Sequence, residues 1–169
     1  IIKGKLLEAL VGLCINIEHI GSTAVPKLAA KPIIDIDIVY NEIPDFEKIK
    51  ITLESAGYFH NGNQSVEGRE VFKRTGNKED EALDTIAHHL YVCRYNCPEL
   101  HRHILLRNYL RKNQDARSFY MNLKYQIAQE ANNDRKLYAS IKEMKASSFI
   151  NYVVELSMME HGPFNKVKC

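Results

Sequence analysis

Two carboxylates at alternate positions of an apolar run are the side chains in this 169-residue chain whose spacing points most directly to chemistry. From Ile33 to Val39 the sequence reads IIDIDIV, and a period of two predicts a strand that turns Asp35 and Asp37 to one face, about 7 Å apart. Two anions held that close on an apolar surface repel each other and lose hydration, so the pair calls for a cation. Oxygen-only ligands of this kind favour Mg²⁺ or Mn²⁺ that also touches substrate phosphates. Upstream, Gly21 permits a tight turn and leaves the backbone uncovered, while Ser22 supplies a hydroxyl and an amide that can both donate to a phosphate.

Further along the chain, His103, Arg107 and Arg111 fall at i, i+4 and i+8 of an expected helix and share one face. Arginines in such a row can clamp phosphate oxygens in pairs, and Lys124 on the next helix adds a point charge. Lys31 precedes Pro32 and the carboxylate strand; it suits a phosphate or an aspartate, and equally a plain surface lysine. In the strand HHLYV at 88–92, His89 and Tyr91 share a face, and His89 suits either a general base near neutral pH or a satisfied core histidine.

The run GSTAVPKLAAKPIIDIDI at 21–38, HHLYV at 88–92, RNYLR at 107–111, Tyr120 and Leu123-Lys124 together resemble the GrpB-like family, a branch of the nucleotidyltransferase superfamily. The resemblance extends from about Ile17 to the region of Tyr152. It implies an α+β fold, a nucleotidyltransferase-like mixed β-sheet flanked by helices with a C-terminal helical region packed on it. It also implies transfer of a nucleoside monophosphate from a nucleoside triphosphate to an acceptor. In that scheme Asp35 and Asp37 hold Mg²⁺, Gly21 and Ser22 support the outer phosphates, and Lys31, Arg107, Arg111 or Lys124 offset developing charge. Superfamily enzymes place a third carboxylate on a neighbouring strand, and here Glu70 or His89 is expected to take its place as proton acceptor. The alternative is an inactive module of the same fold that binds a nucleotide or phosphorylated metabolite. Asn108 stands where the family commonly has Asp, which removes one expected salt bridge.

Composition sets the frame. With 45% hydrophobic and 26% charged residues the chain reads as one soluble globular domain over 1–169, sheet-bearing to residue 97 and helical from 98. The net charge of +2 is uneven: residues 98–169 hold twelve Lys and Arg against seven Asp and Glu, and the first 97 residues carry −3. An acidic half beside a basic half suits a phosphate-bearing substrate between them. No apolar run has the length of a membrane span and no signal-peptide pattern opens the chain, so a cytoplasmic location is expected. Cys14, Cys93, Cys97 and Cys169 lack the spacing of a secreted framework and are expected reduced; Cys93, Cys97 and His101 match no common zinc pattern. Nothing forms an aromatic-studded strand platform for RNA, so a small-molecule or protein acceptor is favoured over nucleic acid.

The elements that position these residues follow from periodicity and punctuation. A helix ending over Lys5–Gly12, a strand over Cys14–Ile20 and a short helical segment lead to the carboxylate strand. Pro44 opens a helix that runs to Ala56 and stops at Gly57. Residues 58–68 read as a turn-rich connector. Arg69–Thr75 and His88–Tyr95 read as two antiparallel strands, joined by a charged, mobile loop at 76–86 that reads foremost as a solvated connection and alternatively as a neighbour of the site. Helices then begin at Pro98, near Asp115 and at Asp134, the last running to Met159, with apolar faces that include Phe119, Leu137 and Met144.

Overall fold

The carboxylate strand forms as expected and lies inside a five-stranded sheet. The computed structural model describes residues 1–161 and 165–168. In chain order the elements are α1 (Ile2–Ala9), β1 (Ile15–Ile20), a 3₁₀ turn (Ser22–Ala24), β2 (Ile34–Tyr40), α2 (Ile43–Ser55), β3 (Tyr58–His60), β4 (Arg69–Arg74), α3 (Glu81–Thr85), β5 (His88–Arg94), α4 (Pro98–Lys112), α5 (Gln114–Glu130) and α6 (Arg135–His161). The strand order is β1-β2-β5-β4-β3, with β2 and β5 parallel and every other pair antiparallel. It is a mixed α+β fold.

Alternation along the strands gives the sheet two unlike faces. One carries Ile17, Ile36, Ile38, Phe72, Leu90 and Val92, packed under Ile2 and Leu6 of α1, Ile49 and Leu53 of α2 and Leu83 of α3. The other carries Ile20, Val39 and Cys93 together with Asp35 and Asp37, and α4 covers it through Leu100 and Ile104, with Cys97 just before the helix. All the polar site chemistry lies on this second face, while the first is an ordinary hydrophobic core.

Several sequence expectations are corrected by this arrangement. The connector at 58–68 contains β3, whose three residues are too few to show an alternation. The loop at 76–86 contains α3, started by Asp80, whose carboxylate accepts from the amides of Ala82 and Leu83. Ion pairs from Asp80 to Lys5 and from Asp84 to Arg74 tie that segment down, and Leu83 sends it to the face opposite Asp35 and Asp37. The cap of α5 is Asn113 rather than Asp115, its side chain accepting from the Ala116 amide. Phe119, Leu137 and Met144, expected to be buried, stand exposed on the outer sides of α5 and α6. Of the cysteines, Cys93 and Cys97 are free thiols whereas Cys14 is disulfide-bonded, against the expectation that all are reduced; Cys169 lies outside the described residues. Among the described residues no helix is long and apolar enough to cross a membrane.

Ile38 is fully buried on the hydrophobic face of β2, between the two layers that the site depends on. Ile38→Ala is therefore expected to lower unfolding stability by about 2–5 kcal/mol, measured by urea denaturation.

Candidate functional site

The register of the sheet decides which residues meet. Asp35 pairs with Ile20 on β1 and His89 on β5, and Asp37 pairs with Glu18 and Tyr91, so Asp35, Asp37, Glu18, His89 and Tyr91 share one face. Glu70 does not join them: it aligns with Val92 on the opposite face and its carboxylate bonds His60 at 2.6 Å. The place beside the aspartates is filled instead by two histidines.

Each aspartate has its own imidazole. Nδ1 of His89 meets Oδ1 of Asp35 at 2.8 Å, and that hydrogen bond raises the His89 pKa against the burial that lowers it. From α4, Nδ1 of His103 donates to Oδ2 of Asp37 at 3.2 Å while Nε2 meets Oε1 of Glu99 at 3.2 Å. Burial opposes the charge on His103, but the two carboxylates outweigh it and lift its pKa to about 9. His103 is thus an imidazolium at neutral pH. Asp37 is fully buried, and the Cys93 thiol donates to its remaining oxygen at 3.7 Å.

These contacts decide whether the pair fits a divalent metal. Both oxygens of Asp37 are engaged, and a protonated imidazole stands where a cation would have to approach. Among the described residues no group of three or more His, Cys, Asp or Glu is placed to hold a metal ion. The residues do not fit Mg²⁺ or Mn²⁺ in this arrangement. Cys93 and Cys97 meet side chain to side chain, while the His101 ring bonds the Tyr95 carbonyl at 2.7 Å, and no group of three forms around them among the described residues.

Gly21 and Ser22 do reach the aspartate. Gly21 has φ 71 and ψ −170, a region open almost only to glycine, and a Cβ placed there would sit 2.3 Å from Oδ2 of Asp35. The Ser22 hydroxyl accepts from Nζ of Lys124 at 2.8 Å, and the same ammonium donates to the Ala29 carbonyl. Together with α4 and α6, this turn and the sheet enclose a cavity of about 420 Å³, within the ordinary range for small-molecule sites.

The basic residues divide between structural and open roles. Arg107 lines the cavity but is committed to Glu18 at 2.6 Å and to the His19 carbonyl at 2.8 Å, and its Nε donates to Asn108, the residue noted for replacing an acid. Arg111 donates to the Ala24 carbonyl at 2.8 Å and braces the turn from outside. Lys31 lies apart from the carboxylates, its ammonium 4.7 Å from the centre of the Tyr138 ring. Lys124 is buried with no carboxylate partner among the described residues, and burial together with the nearby Lys142 lowers its pKa to about 8. Lys142 of α6, which sequence reasoning missed, lines the cavity, and burial lowers its pKa too while Asp35 works the other way. Arg69 of β4 and Arg102 of α4 are further cavity residues that the motifs did not single out.

The buried ion pair makes a measurable statement about stability. The folded-state pKa of His103, about 9, lies above its ordinary 6.5, so its contribution is complete below about pH 6.5 and is lost as pH rises through 9. At most this amounts to roughly 3 kcal/mol. Urea denaturation at pH 6, 7.5 and 9.5 should show the decline, and His103→Ala should flatten it while costing about 3–5 kcal/mol at pH 7 by stranding Asp37. An alkaline decline of the same size in the variant would assign it to other groups.

Comparison with known proteins agrees with this architecture. The family model described as GrpB protein matches residues 2–154. The chain is 33% identical to the glutamate-rich protein GrpB of Alkalihalophilus pseudofirmus over 149 residues, which cover 87% of this chain and 84% of that protein. It is 36% identical over 114 residues to the UPF0157 protein YqkA of Bacillus subtilis, covering 68% of this chain but spanning only 31% of YqkA's length. The crystal structure of the conserved protein GrpB from Enterococcus faecalis superposes with a TM-score of 0.73 at 31% identity, covering 94% of this chain and 88% of that one. The matched region runs from α1 well into α6 and includes the Gly21-Ser22 turn, the carboxylate strand and the helices that close the cavity, and by that measure the chain belongs to the GrpB family.

Proposed function

We propose that the cavity binds a small phosphorylated molecule, a nucleotide or phosphorylated metabolite, through its phosphate. The observation that carries this reading is a pair of lysines, Lys142 lining the cavity and Lys124 bonded to the Ser22 hydroxyl at its edge, both acted on by Asp35 but neither in an ion pair among the described residues. Withdrawing two ammonium groups from water is costly unless an anion meets them. A phosphate between Ser22 and the two lysines supplies that anion and accepts from the serine hydroxyl and amide at once. Asp35, beside Gly21, supplies local negative charge that sets how deep the phosphate can sit.

A second reading, nucleotidyl transfer, is favoured by one observation, the placement of Asp35 and Asp37 on one face beside the glycine-serine turn. Metal-dependent transfer would need both imidazoles to release their aspartates. His89 meets Asp35 through Nδ1, and its raised pKa leaves a larger share of it already protonated than of a free imidazole, so only the remaining neutral fraction accepts a proton at Nε2. Binding without turnover therefore accounts for more of the geometry.

Calorimetry should show a nucleoside triphosphate or monophosphate binding while the matching unphosphorylated nucleoside does not, with affinity unchanged by chelators. Lys142→Ala should weaken phosphate binding about tenfold or more, the cost of about 1.5–3 kcal/mol attached to a charge-assisted contact. Affinity should also fall as pH rises through about 8, where Lys124 passes from ammonium to neutral amine. Release of pyrophosphate on adding a nucleoside triphosphate and Mg²⁺ would move the assignment to transfer. Equal affinity for phosphorylated and unphosphorylated ligands would end it.

A further inference from the structure

The end of the cavity away from Ser22 carries an unexplained arginine. Arg69 lies at the start of β4, aligned with Cys93, four positions along β5 from His89 and hence roughly 13 Å along the strands from the level of Asp35. Its guanidinium lies over the Tyr91 ring at 4.7 Å and it lines the cavity. Its Nε is buried without any hydrogen-bond partner, the single such side-chain atom among the described residues. An orphaned donor of a charged group costs more than the 1–3 kcal/mol typical of a neutral one, so native structures seldom leave one without a use.

The neighbours do not supply its partner. Arg102, one residue before His103 on α4, lines the same cavity, acts on Glu99 as Arg69 does and also on Tyr120, and forms no ion pair among the described residues. The nearest carboxylate, Glu99, feels both arginines but is hydrogen-bonded to His103. Asp37 is closed off by His103 and Cys93. Two guanidinium groups thus face one cavity wall with their planar forks unspent, over an aromatic floor.

We infer that this end is a second anion subsite, and that the ligand carries two anionic groups: a phosphate at Ser22, Lys124 and Lys142, and a carboxylate or second phosphate held by Arg69 and Arg102. The inference rests on the phosphate reading above for the first group alone. Arginine at the far end and lysine at the near end fit this division, because a planar fork pairs with a carboxylate or phosphate edge whereas an ammonium acts as a point charge. The Tyr91 ring holds the Arg69 fork in place and limits the entropy lost on binding.

A length scan tests it. Phosphonoalkanoic acids, with a phosphonate at one end and a carboxylate at the other, are compared by calorimetry with alkylphosphonates of equal chain length that lack the carboxylate. At one preferred length the carboxylate should add at least tenfold in affinity. Arg69→Gln and Arg102→Gln should each remove that gain while leaving alkylphosphonate affinity unchanged, and Arg69→Lys should restore only part of it. Arg102→Gln alone carries the test if the Arg69 variants do not fold. A carboxylate that adds nothing at any length, with alkylphosphonates still bound, overturns the second subsite and leaves the phosphate reading intact. Failure of every probe to bind overturns both.

Discussion

A fully buried carboxylate facing the inside of a sheet–helix sandwich is the constraint that organises this molecule. A carboxylate in that position needs a partner for its charge, and His103 reaches Asp37 from α4. That contact fixes the rotation of α4 on the sheet. With His103 inward, the i, i+4 repeat turns Arg107 towards Glu18 and the i, i+8 repeat turns Arg111 towards the Ala24 carbonyl. A row of three basic residues that looks like a phosphate clamp in the sequence thereby becomes a row of pins, each locking α4 to a different part of the β1–β2 layer.

Once those cations are spent on structure, the charges left open are those that α5, α6 and β4 contribute, with Arg102 of α4. Lys124 is bonded to Ser22 at the turn, while Lys142, Arg69 and Arg102 line the cavity together with the carboxylates of Asp35, Glu99 and Glu143. The uneven charge of the two halves of the chain is therefore partly self-cancelled, as at Arg107 and Glu18, and partly concentrated where α6 folds back over the cavity. Net charge alone does not separate the two uses.

Much of the fold was legible because its signals are local. Alternation found β1, β2 and β5, glycine and proline marked both ends of α2, and Pro98 marked the start of α4. What stayed hidden was short or non-local. Three residues of β3 and five of α3 carry too little pattern to stand out. Within the site, Gly21, Ser22, Asp35, Asp37, His89 and Lys124 were legible as a group through motif and period, and the structure brings Ser22 to Lys124, Asp35 to His89 and Gly21 against Asp35. Glu70 was misplaced because strand boundaries give which residues alternate but not which face is inward when both faces are covered. Lys142, Arg69 and Arg102 carried no signal at all, since each matters only through where its element packs.

The same physics explains why a motif that suggests a metal site can lie in a structure that does not fit one. Two aspartates on one apolar face need positive charge, but the requirement is for charge and donors, not for a particular cation. Imidazolium meets it with directed N–H donors: His103 gives one to Asp37, and Glu99 on its far side accepts the other and helps hold the ring charged. A hydrated divalent ion would have to displace this network, breaking two hydrogen bonds and stranding Glu99, before making its first bond to Asp37. Asp35 is more open: its partner His89 is half exposed and its second oxygen lies against the Gly21 backbone at the edge of the cavity. The two aspartates of the motif are thus chemically unequal, Asp37 holding the architecture together and Asp35 facing the ligand.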